Sequence, residues 1–192
     1  MRQSRHNNGL HAEPFLGRAS MLCFLYGPGE PGRYAAYKIM DERILAESYN
    51  DISRRHAVLS CDSSSAWLYL HEPAEDPSRI QAVDSSGCAF NLVEPIQKSE
   101  IPRYRPSPPP IVDTFASEHA VCENVDNHTW SIRWSTDGLV VVVFRDSQPW
   151  CLISTASEYG YSRAISADGP WGKPWCDSVH ASTEWSAASD AV

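Results

Sequence analysis

The second half of this chain has very few basic residues. Residues 111–192 hold four Lys or Arg against 11 Asp or Glu, a net charge of −7, whereas residues 1–110 carry −1 and the whole chain −8. Nucleic acids and anionic membranes bind basic surfaces, so this charge and the pI of about 5.3 argue against both as partners. Six of the seven tryptophans also lie in the acidic half. This combination favours docking onto a basic protein partner.

The sequence also lacks a long hydrophobic run near its start. The apolar stretch there, residues 21–26, is six residues long, too short for the core of a signal sequence or for a membrane span. We therefore expect a cytoplasmic protein, with residues 1–20 as a disordered polar extension. In that compartment the six cysteines stay reduced, and several of them lie in apolar runs typical of small buried side chains.

Strong catalytic motifs are lacking as well. Gly27, Gly29 and Gly32 match the Gly-x-Gly-x-x-Gly spacing of dinucleotide-binding loops. However, Pro28 and Pro31 remove two of the backbone N–H groups that would hold a phosphate, which favours a plain turn. No Gly-x-Ser-x-Gly elbow occurs. The sequence predicts no cofactor, and a hydrolase or transferase with an unrecognised active site is kept as an alternative function.

The patterns that are present predict an α+β protein of two small lobes, with antiparallel sheets and one main N-terminal helix. Prolines concentrated between the lobes predict a stiff extended connector. The expected segments are a polar extension (1–20), an N-terminal α+β lobe (21–100), the connector (101–111), an acidic β-rich lobe (112–185) and a frayed tail (186–192).

In the N-terminal lobe, apolar residues recur at intervals of three and four over residues 33–48, which predicts the helix. A strand over 22–26 and a Gly/Pro turn precede it. Two apolar runs, 57–61 and 67–70, flank a polar Asp/Ser turn and predict a β-hairpin.

In the C-terminal lobe, alternating residues, an Asp-Gly turn and an unbroken apolar run predict a three-stranded antiparallel meander over residues 129–154. A short helix is expected over 157–168, before a rigid Gly/Pro/Trp loop at 169–175. At a constant offset of 84, Val58 and Leu59 match Val142 and Val143. This weak internal repeat indicates a candidate internal duplication.

Two His/Cys pairs could supply the two sulfur and two nitrogen ligands of a tetrahedral zinc site. The candidates are His119, Cys122, Cys176 and His180. Neither pair has the spacing of a zinc-binding motif, and buried structural cysteines beside surface histidines are the other interpretation.

Aromatic and acidic residues on stiff loops form the candidate partner-binding set, since aromatic side chains supply contact area and carboxylates pair with Lys or Arg. The candidates are Asp137, Asp146, Tyr159, Tyr161, Asp168, Trp171, Trp175 and Asp177. The alternative is that Trp171 and Trp175 close the end of the meander as core residues.

In its acidity, small size, aromatic-rich β lobe and lack of an active-site motif, the chain resembles the bacterial immunity proteins that neutralise toxins. The resemblance implies an intracellular protein that inhibits a basic partner, such as a toxin domain, by occlusion. A structural or scaffold subunit that self-associates through an apolar patch is a second alternative. The sequence indicates no oligomeric state.

Overall fold

The computed structural model describes residues 42–76, 81–105 and 107–187, which form two β-sheets with the strands of each paired in chain order. The first sheet is antiparallel and consists of β1 (Arg43–Asn50), β2 (Arg55–Cys61), β3 (Ser65–His71) and β4 (Val83–Asn91). The second consists of β5 (Trp130–Trp134), β6 (Val140–Arg145), β7 (Gln148–Ser154), β8 (Tyr161–Ser162) and β9 (Lys173–Pro174), and only its β8–β9 pair is parallel.

Helices are few in the described ranges. They are one α-helix, α1 (Asp177–Ser182), and two 3₁₀ helices, Lys98–Tyr104 and Val125–Asn127. None of them is long and apolar enough to span a membrane, a finding that covers only the residues described.

The β-hairpin and the meander predicted from local patterns are both confirmed. At the β2–β3 turn, the carboxylate Oδ1 of Asp62 accepts the backbone N–H of Ser64 at 2.7 Å and of Ser65 at 2.9 Å, so the turn is held by its own side chain. Strands β5, β6 and β7 form the meander. At its second turn Asp146 and Ser147 both have positive φ, 50° and 68°, as a tight two-residue hairpin turn requires.

The predicted N-terminal helix is wrong where the structure describes it. Residues 43–48 lie in β1, which pairs with β2 along its whole length. A register shift between Ile44 and Ala46 leaves the adjacent residues Leu45 and Ala46 both packed against the core. Pairing with β2 therefore decides the conformation of a segment whose apolar spacing resembles a helix. The rest of the predicted helix, the strand over 22–26 and the extension over 1–20 lie outside the described residues.

Two further local predictions are corrected. The helix expected over 157–168 is absent, since these residues form turns and the short strand β8. The tail expected to fray from residue 186 is held at its start, because Ser186 donates its N–H and its hydroxyl to the Trp134 carbonyl at 3.0 Å and 2.9 Å. Residues 188–192 lie outside the described ranges.

The proline-rich segment is not an extended connector throughout. Its first residues lie in the 3₁₀ helix Lys98–Tyr104, and Pro108 and Pro110 are buried. The carbonyl of Pro108 accepts the Ser65 hydroxyl at 3.3 Å, and that of Pro109 accepts the Trp171 indole N–H at 2.9 Å. The segment is therefore packed against β3 of the first sheet and against the loop between β8 and β9.

The two sheets pack face to face around one hydrophobic core. β1 lies against β5, and β4 lies against β7 and β8. The stacked rings of Phe90 and Trp130, 4.9 Å apart, and the hydrogen bond from the Trp150 indole to the Ala89 carbonyl, 2.9 Å, join the sheets. Buried residues of both sheets belong to one cluster. Whether the two halves are separate folding units stays a prediction.

Residues that are 84 positions apart also correspond in secondary structure. The offset of 84 places β1, β2 and β3 on β5, β6 and β7, and it places Arg54 (φ 55°) on Gly138 (φ 71°). Leu59 and the matching Val143 both belong to the shared core, whereas their neighbours Val58 and Val142 are buried outside it. The correspondence ends at β4. The residues 84 positions after β4, 167–175, contain only the two-residue strand β9. Duplication stays a prediction.

Candidate functional site

The predicted acidic residues do not share one surface. Asp137 lies in the β5–β6 turn and Asp146 in the β6–β7 turn, at opposite ends of β6. The strand places roughly 20 Å between them at about 3.3 Å per residue, which is about two Debye lengths at physiological salt. A partner group that approaches one of these carboxylates is therefore screened from the other.

Asp146 and Asp177 are both engaged in local contacts. Asp146 accepts the backbone N–H of Thr129 at 2.9 Å and lies 2.6 Å from Nδ1 of His128, and these contacts lower its pKa. Asp177 accepts the Trp175 indole N–H at 2.6 Å and lies 3.4 Å from an Arg163 nitrogen. Asp168 is exposed in the loop before β9.

Among the predicted aromatic anchors, Trp171 belongs to the core. Its side chain is only 4% exposed, its ring lies 5.4 Å from that of Phe115, and its indole is bonded to Pro109. It therefore closes the end of the sandwich and offers no contact area to a partner. Tyr159, Tyr161 and Trp175 are half-buried.

Each of the four basic residues of the acidic half lies over an aromatic ring. The pairs, with the distance from charge centre to ring centroid, are Arg133 over Phe144 (4.9 Å), Arg145 over Trp150 (3.5 Å), Arg163 over Trp175 (4.7 Å) and Lys173 over Tyr161 (5.6 Å). One face of Trp175 and of Tyr161 is thus already taken by a cation of the chain itself. These two rings can meet a partner only through their other face or edge.

The four zinc candidates do not assemble into a site. His119 is exposed beside Trp150, with ring centroids 6.1 Å apart, whereas Cys122 is buried. Cys176 precedes α1 with its sulfur 3.1 Å from the Ser178 hydroxyl. Within the described part of the chain, no three His, Cys, Asp or Glu side chains are grouped closely enough to hold a metal ion. The interpretation as a buried cysteine beside a surface histidine therefore describes His119 and Cys122.

His180 lies instead in an aromatic cluster on the face of the second sheet that points away from the first. Its ring is 5.0 Å from Trp185, 5.6 Å from Trp175 and 6.4 Å from Phe144. Burial lowers the pKa of His180, Asp177 raises it, and the positive charges of Arg163 and Arg133 lower it further.

A different acidic surface does form, at one end of the sandwich. Four connections meet there: β1–β2, β3–β4, β5–β6 and β7–β8. Backbone bonds tie them together, from Ala74 N–H to the Arg54 carbonyl (2.8 Å) and from Thr155 N–H to the Leu139 carbonyl (3.1 Å). Gly138 lies against the side chains of Asn50 and Ser53, so the two hairpin turns touch. We call this surface the acidic end.

The acidic end collects carboxylates from both halves of the chain. They are Asp51, Glu72, Glu75, Asp76, Asp84, Asp137, Glu158 and Glu184. Glu184 joins the set because its carbonyl accepts the Thr136 N–H at 2.8 Å. The described basic residues at this end are Arg54, Arg55 and, by the same criterion, Lys173, whose backbone N–H donates to the Gly160 carbonyl of the β7–β8 connection at 2.8 Å, so the formal charge of the described residues is −5.

Local bonds fix several of these charges in place. Arg55 lies 2.5 Å from an oxygen of Asp84 and donates to the His71 carbonyl at 3.1 Å. The carboxylate Oδ1 of Asp137 accepts the Ser135 hydroxyl at 2.6 Å and the Leu139 N–H at 3.0 Å, and both bonds lower the pKa of Asp137. Its negative charge therefore persists to lower pH than that of an ordinary aspartate.

The sequence prediction included only Asp137 of these eight residues. The signal for five of the others is that they lie in alternate connections of an up-and-down meander, which fall at the same end of a sheet, whereas Asp84 lies in β4 and Glu184 follows α1. This pattern can be recognised only when residues 43–50 are known to form a strand and the alignment of the two sheets is known.

Fold and surface together define a mostly β protein, a sandwich of two meanders with one strongly acidic end. No protein-family model, curated protein or solved structure matches the chain.

Proposed function

We propose that this chain is a non-enzymatic binding protein whose acidic end docks onto a basic protein partner and inhibits it by occlusion, as immunity proteins do to toxins. The observation that carries the proposal is the surplus of negative charge among the described residues of the acidic end, where eight carboxylates are accompanied by three basic residues.

The charge distribution supports electrostatic docking. The four basic residues of the second half all lie over aromatic rings of that half, and Lys173 is the one bonded to a connection of the acidic end. The surplus of negative charge at this end attracts a basic partner before contact and raises the association rate at low salt.

The connections that carry the acids are also held in place. Each is bonded to another connection or to its own turn, as with Thr155 and Leu139, or Ser85, whose hydroxyl donates to the Ser157 carbonyl at 2.8 Å. Loops that are already ordered lose little conformational entropy on binding, so more of the contact energy appears as affinity. A preformed surface of this kind suits inhibition by covering a partner's site.

The test uses an oligolysine peptide as the basic probe, with binding mapped by amide NMR shifts and association rates measured at increasing salt. We expect shifts confined to the acidic end and a rate that falls as salt rises. The combined variant Asp137→Asn, Glu158→Gln, Glu184→Gln removes one charge from each of three segments of that end. It should weaken binding roughly tenfold at low salt.

The matched control removes the same number of charges elsewhere, through Glu94→Gln, Glu118→Gln and Glu123→Gln, all exposed positions. It should bind nearly as the unmodified protein does. Equal weakening in both variants would show that net charge alone matters and would reject the acidic end as the binding surface.

A further inference from the structure

A small pocket opens at the edge of the second sheet, where β5 faces β1 and the residues that follow α1. Its volume is about 100 Å³, enough for several water molecules. The lining residues are Ser48, Ser131, Ile132, Arg133, Trp134, Phe144, Ser186 and Ala187.

Arg133 supplies this pocket with an uncompensated positive charge. Its guanidinium stacks over Phe144, and it forms no ion pair with any carboxylate in the described ranges. A cation–π contact holds the group in position but leaves its charge and its N–H donors available. The lowered pKa of His180, to which Arg133 contributes, is consistent with that field.

Hydroxyl groups add donors beside the guanidinium. The oxygen of Ser48 accepts the Trp134 indole N–H at 2.9 Å, so its own O–H can donate into the pocket. Ser131 lies two residues before Arg133 on β5 and is exposed. Ser186 uses its hydroxyl proton on the Trp134 carbonyl, at 2.9 Å. The pocket lining thus includes two O–H donors and one guanidinium, together with the apolar side chains of Ile132 and Phe144.

We propose that this pocket binds a small oxyanion, phosphate or the carboxylate of a small organic acid, with Arg133 as the counter-ion and Ser48 and Ser131 as hydrogen-bond donors. Charge-assisted bonds from a guanidinium suit both anions. The pocket lies on β5, and none of its lining residues carries a charge of the acidic end. The inference therefore does not depend on the proposed function.

The experiment follows the indole N–H signal of Trp134 by ¹⁵N NMR while inorganic phosphate, acetate or chloride is added at matched ionic strength. We expect a saturable shift with phosphate, with acetate or with both, and none with chloride. A shift with only one of the two oxyanions supports the proposal and assigns the ligand. Binding should also raise the pKa of His180, because the anion offsets the field of Arg133.

Arg133→Gln should weaken anion binding tenfold or more, which corresponds to about 1.4 kcal/mol. Arg145→Gln is the matched control, since Arg145 also stacks on a ring but does not line the pocket. Ser131→Ala, at an exposed position, should weaken binding by a smaller factor and keeps the test valid should Arg133→Gln unfold. The same shift with chloride, or unchanged affinity in both variants, would overturn the proposal.

Discussion

The imidazole rings of His56 and His71 lie opposite each other on β2 and β3, with centroids 6.4 Å apart. Nδ1 of His71 is 2.8 Å from the Gln81 carbonyl, so it carries the proton of the neutral ring. Nε2 of His71 and Nδ1 of His56 are buried without a hydrogen-bond partner. Burial lowers the pKa of both residues, and the nearby Glu47 offsets part of the effect on His56.

This pair predicts a loss of stability in mild acid. An unfolded histidine titrates at about pH 6.5, while the folded state keeps these two neutral to lower pH. Their contribution to the free energy of unfolding is therefore fully present above about pH 6.5 and is lost as the pH falls toward the folded pKa values. Urea unfolding at neutral pH and at about pH 5 measures the loss.

The double variant His56→Gln, His71→Gln should be less stable at neutral pH but should lose less stability on acidification. His119→Gln, at an exposed position, should keep the pH dependence of the unmodified protein. A double variant that loses stability as steeply as the parent would contradict the assignment to this pair.

The described cysteines should differ in thiol reactivity according to their burial and hydrogen bonding. Burial raises the pKa of Cys151 to about 12 and that of Cys88 well above its ordinary value. Cys176 is partly exposed, and the hydrogen bond with Ser178 lowers its pKa. Since the thiolate is the reactive form, iodoacetamide near neutral pH should modify Cys176 first, as read by peptide mass spectrometry. Rapid labelling of Cys88 or Cys151 in the folded protein would contradict their burial.

Replacement of Trp171 should affect stability and leave partner binding intact. Trp171→Ala removes a buried ring and should cost about 3–5 kcal/mol of the free energy of unfolding. Trp171→Phe keeps most of the apolar area but loses the hydrogen bond to Pro109, which is worth about 1 kcal/mol. Trp175→Ala, at a half-buried position, should cost less than Trp171→Ala. Denaturant unfolding compares the three, and the reverse order would reject Trp171 as the core residue.

Gly138 should tolerate no side chain. Its φ of 71° lies in the left-handed region, and a Cβ atom there would approach the Ser53 hydroxyl to 2.7 Å. Gly138→Ala should therefore destabilise the protein by at least about 1–2 kcal/mol. Gly87→Ala is the control, because a Cβ at Gly87 would meet Ile153 at an ordinary 3.4 Å. Equal losses of thermal stability in the two variants would contradict the strain at the hairpin turn.

The parts of the fold that were predictable are those in which neighbours in sequence are neighbours in space. Asp62 closes its turn on Ser64 and Ser65, and the apolar run of β6 is flanked by two turns with their own signals. Such hairpins depend on contacts within about ten residues, so alternation and turn chemistry identify them. β1 was not predictable in this way, because its extended form comes from its pairing with β2.

The candidate site also combines features set by the sequence with features set by long-range packing. Sequence alone established that the second half is acidic, rich in tryptophan and nearly free of basic residues, because charge and composition are properties of the chain itself. Tertiary structure alone decided which acids meet, that Trp171 is buried and that each cation of that half lies over a ring. These facts depend on which ends of the strands coincide and how the two sheets are aligned, and long-range packing sets both.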